Sequence, residues 1–280
     1  LSDIDSGKYG EQRFQESSRQ TERLDSMVIV VGCCGFAVPG GMRSYYREFD
    51  SVEIQSTFYN IARLETIEKW RIEAPPSFEF VPKAFQGITH PSSSSTWKRF
   101  RGRLSGVSDD TERYGFLRPT EEVVSCWKTM IEICARLRSE AVLLQTPPSF
   151  SYSETNVSNM EKFLTTADRK NVAVCWEPRG DWNNNPEKTK QTCSRLDLVH
   201  VTDVMRREPT SEHEISYIRL HGLNTREFDY KYAYNDQELF LLRDKVSEIE
   251  KKRRKVYVFF NNTNMADDAR KFKRILHNRT

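Results

Sequence analysis

The feature that most narrows the fold of this chain is a repeated unit: a short run of β-branched or aromatic residues that stops abruptly at polar ones and is followed by a helix-length amphipathic segment. The stretch Asp50–Asn60, DSVEIQSTFYN, is the clearest instance, an apolar strand that delivers a carboxylate, an amide, two hydroxyls and a tyrosine toward its end. Seven further places repeat the pattern: MVIVV, FEFVPKA, AVLLQTPPSF, NVAVCWE, LDLVHVTD, ISYIRLHG and VYVFFNNT. Such alternation of strand and helix is the grammar of a parallel sheet. Open doubly wound sheets have about five to seven strands and carry a G-x-G-x-x-G fingerprint after the first. Here the glycine-rich loop GCCGFAVPGG lacks that spacing, and reads either as a tight turn or as a close backbone approach to a ligand. Eight repeats therefore predict a (β/α)8 TIM barrel, in which the polar residues at the strand ends converge on one mouth.

The 280 residues suit one such domain. Residues 27–280 are assigned to it. Residues 1–26, charged, Ser- and Gln-rich and nearly free of aliphatic side chains, are expected to be a disordered tail. Residues 91–118, with four consecutive serines and a run of arginines, read as a basic insertion after strand three, on the face that carries chemistry in this fold. A solvated flexible loop is the plainer reading of the same residues.

Charge matters for partners. Lys plus Arg (43) nearly balances Asp plus Glu (40), so any claim on nucleic acid must rest on a local patch. Six cysteines without C-x-x-C or Cys/His finger spacing read as buried, reduced thiols; Cys33 and Cys34 sit at a strand end but have no obvious activating partner. No run approaches the roughly 20 apolar residues of a membrane span, and no apolar signal region opens the chain, so the expected setting is cytoplasmic.

The candidate chemistry lies at the strand ends. Glu53 and Glu177 come from strands two and five; a carboxylate pair can divide acid and base roles when burial separates the two pKa values. Alternatively each is the ion-pair partner of a nearby base, Glu177 with Arg179 or Lys83. Lys83 ends strand three as a candidate Schiff-base nucleophile, phosphate counter-charge or structural ion-pair partner. Arg219 and His221 alternate with Leu220 and so share the interior side of strand seven, where they require an anion or an internal carboxylate. Asn261, Asn262 and Thr263 precede the last helix, where this fold often binds phosphate. Tyr59, His90, Gln145, Arg179 and Trp182 complete the substrate- or phosphate-binding candidates. His90, His200 and Asp203 add metal-ligating types, but no motif of the H-E-x-x-H kind joins them, so the cofactor stays unknown and a divalent metal is not required. Trp97, Arg99, Arg101 and Arg103 in the insertion, with Tyr230, Tyr232 and Tyr234, interleave aromatic and basic groups as nucleic-acid binding demands; carbohydrate sites and ordinary loop cores use the same residues.

Taken together, GCCGF, VEIQSTFY, Trp70, F-x-F-V-P-K-A, ITH, LLQTPPSF, WEPR with Trp182, HVTD, YIRLHG and VYVFFNNT resemble the domain-of-unknown-function family 72, the YecE-like family, and its archaeal branch especially. The resemblance runs from about residue 28 to 277 and implies a TIM barrel without implying an activity. Many members carry a His shortly after the Arg of the strand-five motif; Gly180 and Asp181 stand there in this chain, so a mechanism built on that His does not transfer. Three readings follow. The first is a hydrolase or lyase acting on the sugar or phosphate of a nucleic acid or nucleotide. The others are a sugar-phosphate isomerase or aldolase, and a barrel that binds a ligand or partner without turnover. A phosphate-bearing ligand is common to the first two, with no role for a membrane, and nothing in the sequence decides the oligomeric state.

Overall fold

The computed structural model describes residues 28–101 and 112–278; the expected tail, Arg103 and the middle of the insertion lie outside the described residues. Eight strands are formed: β1 Val28–Cys33, β2 Ser51–Ile54, β3 Glu79–Pro82, β4 Ala141–Gln145, β5 Ala173–Glu177, β6 Leu198–Thr202, β7 Ile215–Leu220 and β8 Lys255–Phe260. All run parallel, in the order β3-β2-β1-β8-β7-β6-β5-β4. The two ends of this order meet through a parallel bridge between Lys83 and Leu143, where Ala84 N–H donates to the Leu143 carbonyl at 2.8 Å. The result is a nearly closed (β/α)8 barrel with a seam between β3 and β4.

Helices α1 Leu64–Glu73, α2 Glu121–Leu137, α3 Glu154–Thr166, α4 Pro186–Leu196, α5 Asp236–Glu250 and α6 Met265–His277 cover the sheet, with short helical turns at Gly41–Tyr45, Ser56–Tyr59 and Gln86–Thr89. Local chemistry explains their limits. The Thr120 hydroxyl accepts from Val123 N–H to start α2, Glu121 and Glu122 complement its dipole, and Arg138 in the left-handed region ends it. Val123, Trp127, Met130, Cys134 and Leu137 recur at three- and four-residue intervals, which puts them on one buried stripe. Asn235 and Glu238 form a reciprocal capping box on α5.

Alternation along each strand separates two cores. Val52, Phe80, Val142, Trp176, Ile218 and Phe260 face the helices. Val81, Leu143, Cys175, Val201, Tyr217 and Phe259 fill the barrel interior. The glycine at 32 answers to this packing: a Cβ there would lie 2.1 Å from the Ser51 carbonyl oxygen, so the residue serves the close approach of β1 to β2. Around the insertion, Trp97 packs edge-on against Phe85, Phe100 and Tyr114, and Tyr114 and Leu117 are buried. Its described ends are therefore anchored by an aromatic cluster rather than left as a solvated loop. No helix among the described residues is long and apolar enough to cross a membrane.

Candidate active site

The interior positions at the carboxyl ends of the strands form one polar layer. Glu53 does not emerge from the end of its strand as the sequence pattern suggests: β2 stops at Ile54, and Glu53 points into the barrel with no exposure. Its carboxylate accepts from Tyr217 Oη at 2.7 Å, from Arg219 Nε at 3.0 Å and Nη2 at 3.0 Å, and from Gln55 Nε2. Arg219 turns its remaining nitrogen to the other carboxylate, Nη1 donating to Glu177 Oε2 at 2.9 Å. A single guanidinium thus bridges Glu53 and Glu177. His221 Nε2 lies 2.9 Å from Glu177 Oε1, and Asn261 Nδ2 lies 3.4 Å from His221 Nδ1.

Lys83 stands apart from this bridge. Its ammonium stem is 6% exposed, it lies on the seam, and Nζ donates at 2.7 Å to Oε1 of Gln145, a neutral amide. The nitrogen sits 4.3 Å from the centroid of the Phe58 ring. Among the described residues Lys83 makes no ion pair. Burial, reinforced by the Arg219 cation, lowers its pKa from 10.5 to about 7, the pull of Glu53 and Glu177 being too weak to restore it. The neutral amine is thereby favoured over the ammonium relative to an ordinary lysine.

Glu177 responds in the opposite direction. Burial pushes its pKa up, yet the charges of Arg219 and then Arg179 outweigh burial and hold it at about 2. Burial lowers His221 to about 3, so the ring is neutral and donates Nε2–H to Glu177, leaving Nδ1 as an acceptor. His90, 5% exposed and 2.8 Å from the Thr89 hydroxyl through Nδ1, is likewise held at about 3 by burial and by the Lys83 and Arg179 charges. Burial raises Asp203 to about 6 against the N–H groups of His221 and Met205 that it accepts.

Several sequence expectations need correction. The donors of Arg219 are spent on two carboxylates, so it does not present itself to a phosphate. Trp182 is fully buried on the helix side of β5, donating Nε1–H to the Phe150 carbonyl at 2.7 Å and packing on Trp176, and lines no mouth. Asn262 is a tether: its amide donates to the Tyr232 carbonyl and to Asp268 Oδ2. The start of α6 is occupied by the chain's own anion, since buried Asp268 also accepts from Tyr234 N–H and Asn264 Nδ2. That carboxylate takes the place expected for phosphate. His200 faces the helix layer, where its Nδ1 accepts from Thr210 N–H. Among the described residues no three of His, Cys, Asp and Glu gather as metal ligands. Cys33 and Cys34 are buried, and burial raises the Cys33 thiol to about 12.

Glu53, Lys83, Gln145, Glu177, Arg179, His221 and Asn261 do share one layer. At its rim Tyr59 Oη accepts from Arg99 Nη1 at 3.1 Å, while Asn60 holds the backbone of Arg99 and Arg101. Pattern reasoning missed Tyr217, although it sits two residues before Arg219 on the same inward face. It also missed Phe58, which no spacing marks, and Phe228, which lies in a loop and packs over Arg179 at 4.0 Å.

Residues 37–280 match the family described as "Protein of unknown function DUF72". The UPF0759 protein YunF of Bacillus subtilis (strain 168) is 26% identical over 262 residues, 84% of this chain and 85% of that protein. Among solved structures, a DUF72 family protein from Enterococcus faecalis V583 superposes with a TM-score of 0.67 at 21% identity, covering 89% of this chain and 98% of that one. One from Thermotoga maritima MSB8 gives 0.66 at 24%, covering 89% and 99%. A D-tagatose 3-epimerase-like protein shares the fold at a TM-score of 0.56 and 15% identity, with 89% and 98% covered.

Proposed function

The chain belongs to the DUF72 family, and since that membership leaves the chemistry open, we propose from the mouth itself a lysine-dependent enzyme of the lyase or aldolase class. It acts on the open-chain carbonyl of a sugar or sugar phosphate. The observation that carries this reading is Lys83, a buried amine whose hydrogen-bond partner is the neutral Gln145 amide rather than a carboxylate. An amine so placed keeps a free lone pair near neutral pH. It adds to the carbonyl carbon, a C–N bond forms, and the oxygen leaves as water carrying the two protons of the amine. Arg219 and Arg179 hold Glu177 in its ionised form, so it is not the proton donor of a glycosidic pair.

The test is reductive trapping. Incubation with glycolaldehyde or dihydroxyacetone phosphate and cyanoborohydride is expected to leave one secondary-amine adduct, mapped by mass spectrometry to Lys83. Labelling spread evenly over surface lysines would sink the reading. A nucleic-acid substrate is the second reading, supported by the rim where Arg99 lies over Tyr59 and Asn60 fixes the backbone of Arg101. It calls for oligonucleotide binding that weakens steeply between low and moderate salt; no binding at low salt removes it.

A further inference from the structure

Arg179 is a cation of the mouth whose guanidinium donors are left over among the described residues. Its guanidinium follows β5, with the side chain 12% exposed, and Nη2 stands 3.6 Å from Glu177 Oε2, beyond hydrogen-bond length. Its Nε is buried without a partner, and no side-chain nitrogen of Arg179 donates to a protein group among the described residues. Phe228 covers one face of the guanidinium at 4.0 Å, and the N–H donors of a guanidinium lie in the plane of the fork, away from that ring. A planar fork with one face stacked and its edge free matches a carboxylate, which takes two parallel N–H bonds in one plane.

The neighbourhood says where that carboxylate belongs. Gln145, which holds the Lys83 amine, is the direct β4 partner of Glu177 on β5, and Arg179 follows two residues later. Lys83 and Arg179 are thus separated by a single strand, and their mutual repulsion contributes to the lowered pKa of Lys83. The two side chains start about two strand spacings, on the order of 10 Å, apart and are both long, so their head groups can converge on neighbouring atoms of one short ligand.

We propose that Arg179 is the specificity residue of the site and that the substrate is a 2-oxo acid, its carboxylate on Arg179 and its adjacent carbonyl presented to Lys83. The proposal rests on the Schiff-base reading above, and one set of measurements separates the two. Pyruvate serves as the 2-oxo-acid probe, dihydroxyacetone phosphate as the phosphate probe and glycolaldehyde as the neutral one, each trapped with cyanoborohydride. Oxamate, which does not form an imine, is titrated calorimetrically.

Pyruvate is expected to label Lys83 fastest. Arg179→Gln lowers that rate by about 10- to 100-fold, as the loss of one charged hydrogen-bond partner implies, and lowers glycolaldehyde labelling far less, by no more than the share that the Arg179 charge contributes to freeing the Lys83 amine. Arg179→Lys, which keeps the charge and loses the fork, recovers only part of it. Labelling by glycolaldehyde or dihydroxyacetone phosphate ahead of pyruvate, or insensitivity of pyruvate to Arg179→Gln, overturns the 2-oxo acid and leaves the lysine chemistry standing. Oxamate binding that depends on Arg179, with no imine from any probe, keeps the carboxylate site and removes the lysine chemistry. Neither binding nor imine overturns both.

Discussion

Two lysines inside this barrel are buried to the same 6% exposure and stand at opposite ends of it. Lys255, at the start of β8, lies 2.7 Å from Glu79 and 3.1 Å from Glu140, in a network that Arg254 and Glu214 extend. Tyr257 adds a hydroxyl to the same Glu79. Lys83, beyond β3, meets an amide oxygen and the face of a phenylalanine ring. The comparison teaches that burial alone does not make a lysine reactive. Carboxylates beside a buried amine hold it in an ion-pair network that ties β8 to β3. Without that carboxylate, desolvation favours the neutral nucleophile.

The comparison breaks most sharply under matched truncations. Lys83→Met is expected to abolish carbonyl trapping altogether without destabilising the fold at pH 7, since no ion pair is lost and a desolvated amine is removed. Lys255→Met is expected to leave trapping at Lys83 intact and to cost about 2 kcal/mol, because Glu79 and Glu140 lose a charged hydrogen-bond partner while Tyr257 and Arg254 still hold them. Trapping with glycolaldehyde and urea unfolding of the two variants check both halves. Equal stability losses would mean that the two lysines are held alike.

A subtler change converts one environment into the other. Gln145→Glu sets a carboxylate against the Lys83 amine and is expected to raise its pKa by about 1–3 units. The pH profile of trapping, which in the wild type climbs through about pH 7 and levels off above, moves up by the same amount. Trapping at pH 7 then falls by about fivefold or more. A profile unmoved by this substitution would place the rate-limiting proton elsewhere.

The smallest expected effect is on stability against pH. The folded-state pKa of Lys83 lies below its ordinary value of 10.5, so between about pH 7 and 10.5 the unfolded chain binds the extra proton and stability rises with pH. Between pH 7 and 9 the contribution of this one group grows by on the order of 2 kcal/mol. The gain is read as the difference between wild type and Lys83→Met in urea unfolding at the two pH values. A difference that does not change with pH would show Lys83 to be charged in the folded protein.

Much of this architecture is legible in the residues themselves. Each of the eight strands announces itself as a β-branched or aromatic run, and period-two alternation already puts Arg219 and His221 on the inward face. The same count applied two residues earlier reaches Tyr217, the hydroxyl on Glu53. Where reading by pattern fails, a partner has intervened. Trp182 looks like a mouth aromatic because it follows WEPR, but the turn Gly180–Asn184 carries it behind β5 to the Phe150 carbonyl. Asn262 looks like a phosphate ligand because it precedes a helix, but Asp268 of that helix has already claimed the site. Arg219 reads equally well as an anion receptor and as an internal counter-ion, and only contacts with residues 166 and 42 positions away decide for the second.

Periodicity is written into the residues: which segments become strands, which side of each strand turns inward, and hence that Glu53, Lys83, Glu177 and Arg219 share an interior. Those follow from local sterics and from the pairing of apolar residues two or four positions apart. Which interior groups touch was decided by closure of the barrel. Lys83 reaches Gln145 across 62 residues because β3 meets β4 at the seam, and Lys255 reaches Glu79 across 176 because β8 and β3 face one another at the opposite end. An ion pair depends on distances of a few ångströms between strands far apart in the chain. No local property of either lysine records whether its neighbour will be a carboxylate or an amide, and that neighbour is what separates a structural cation from a nucleophile.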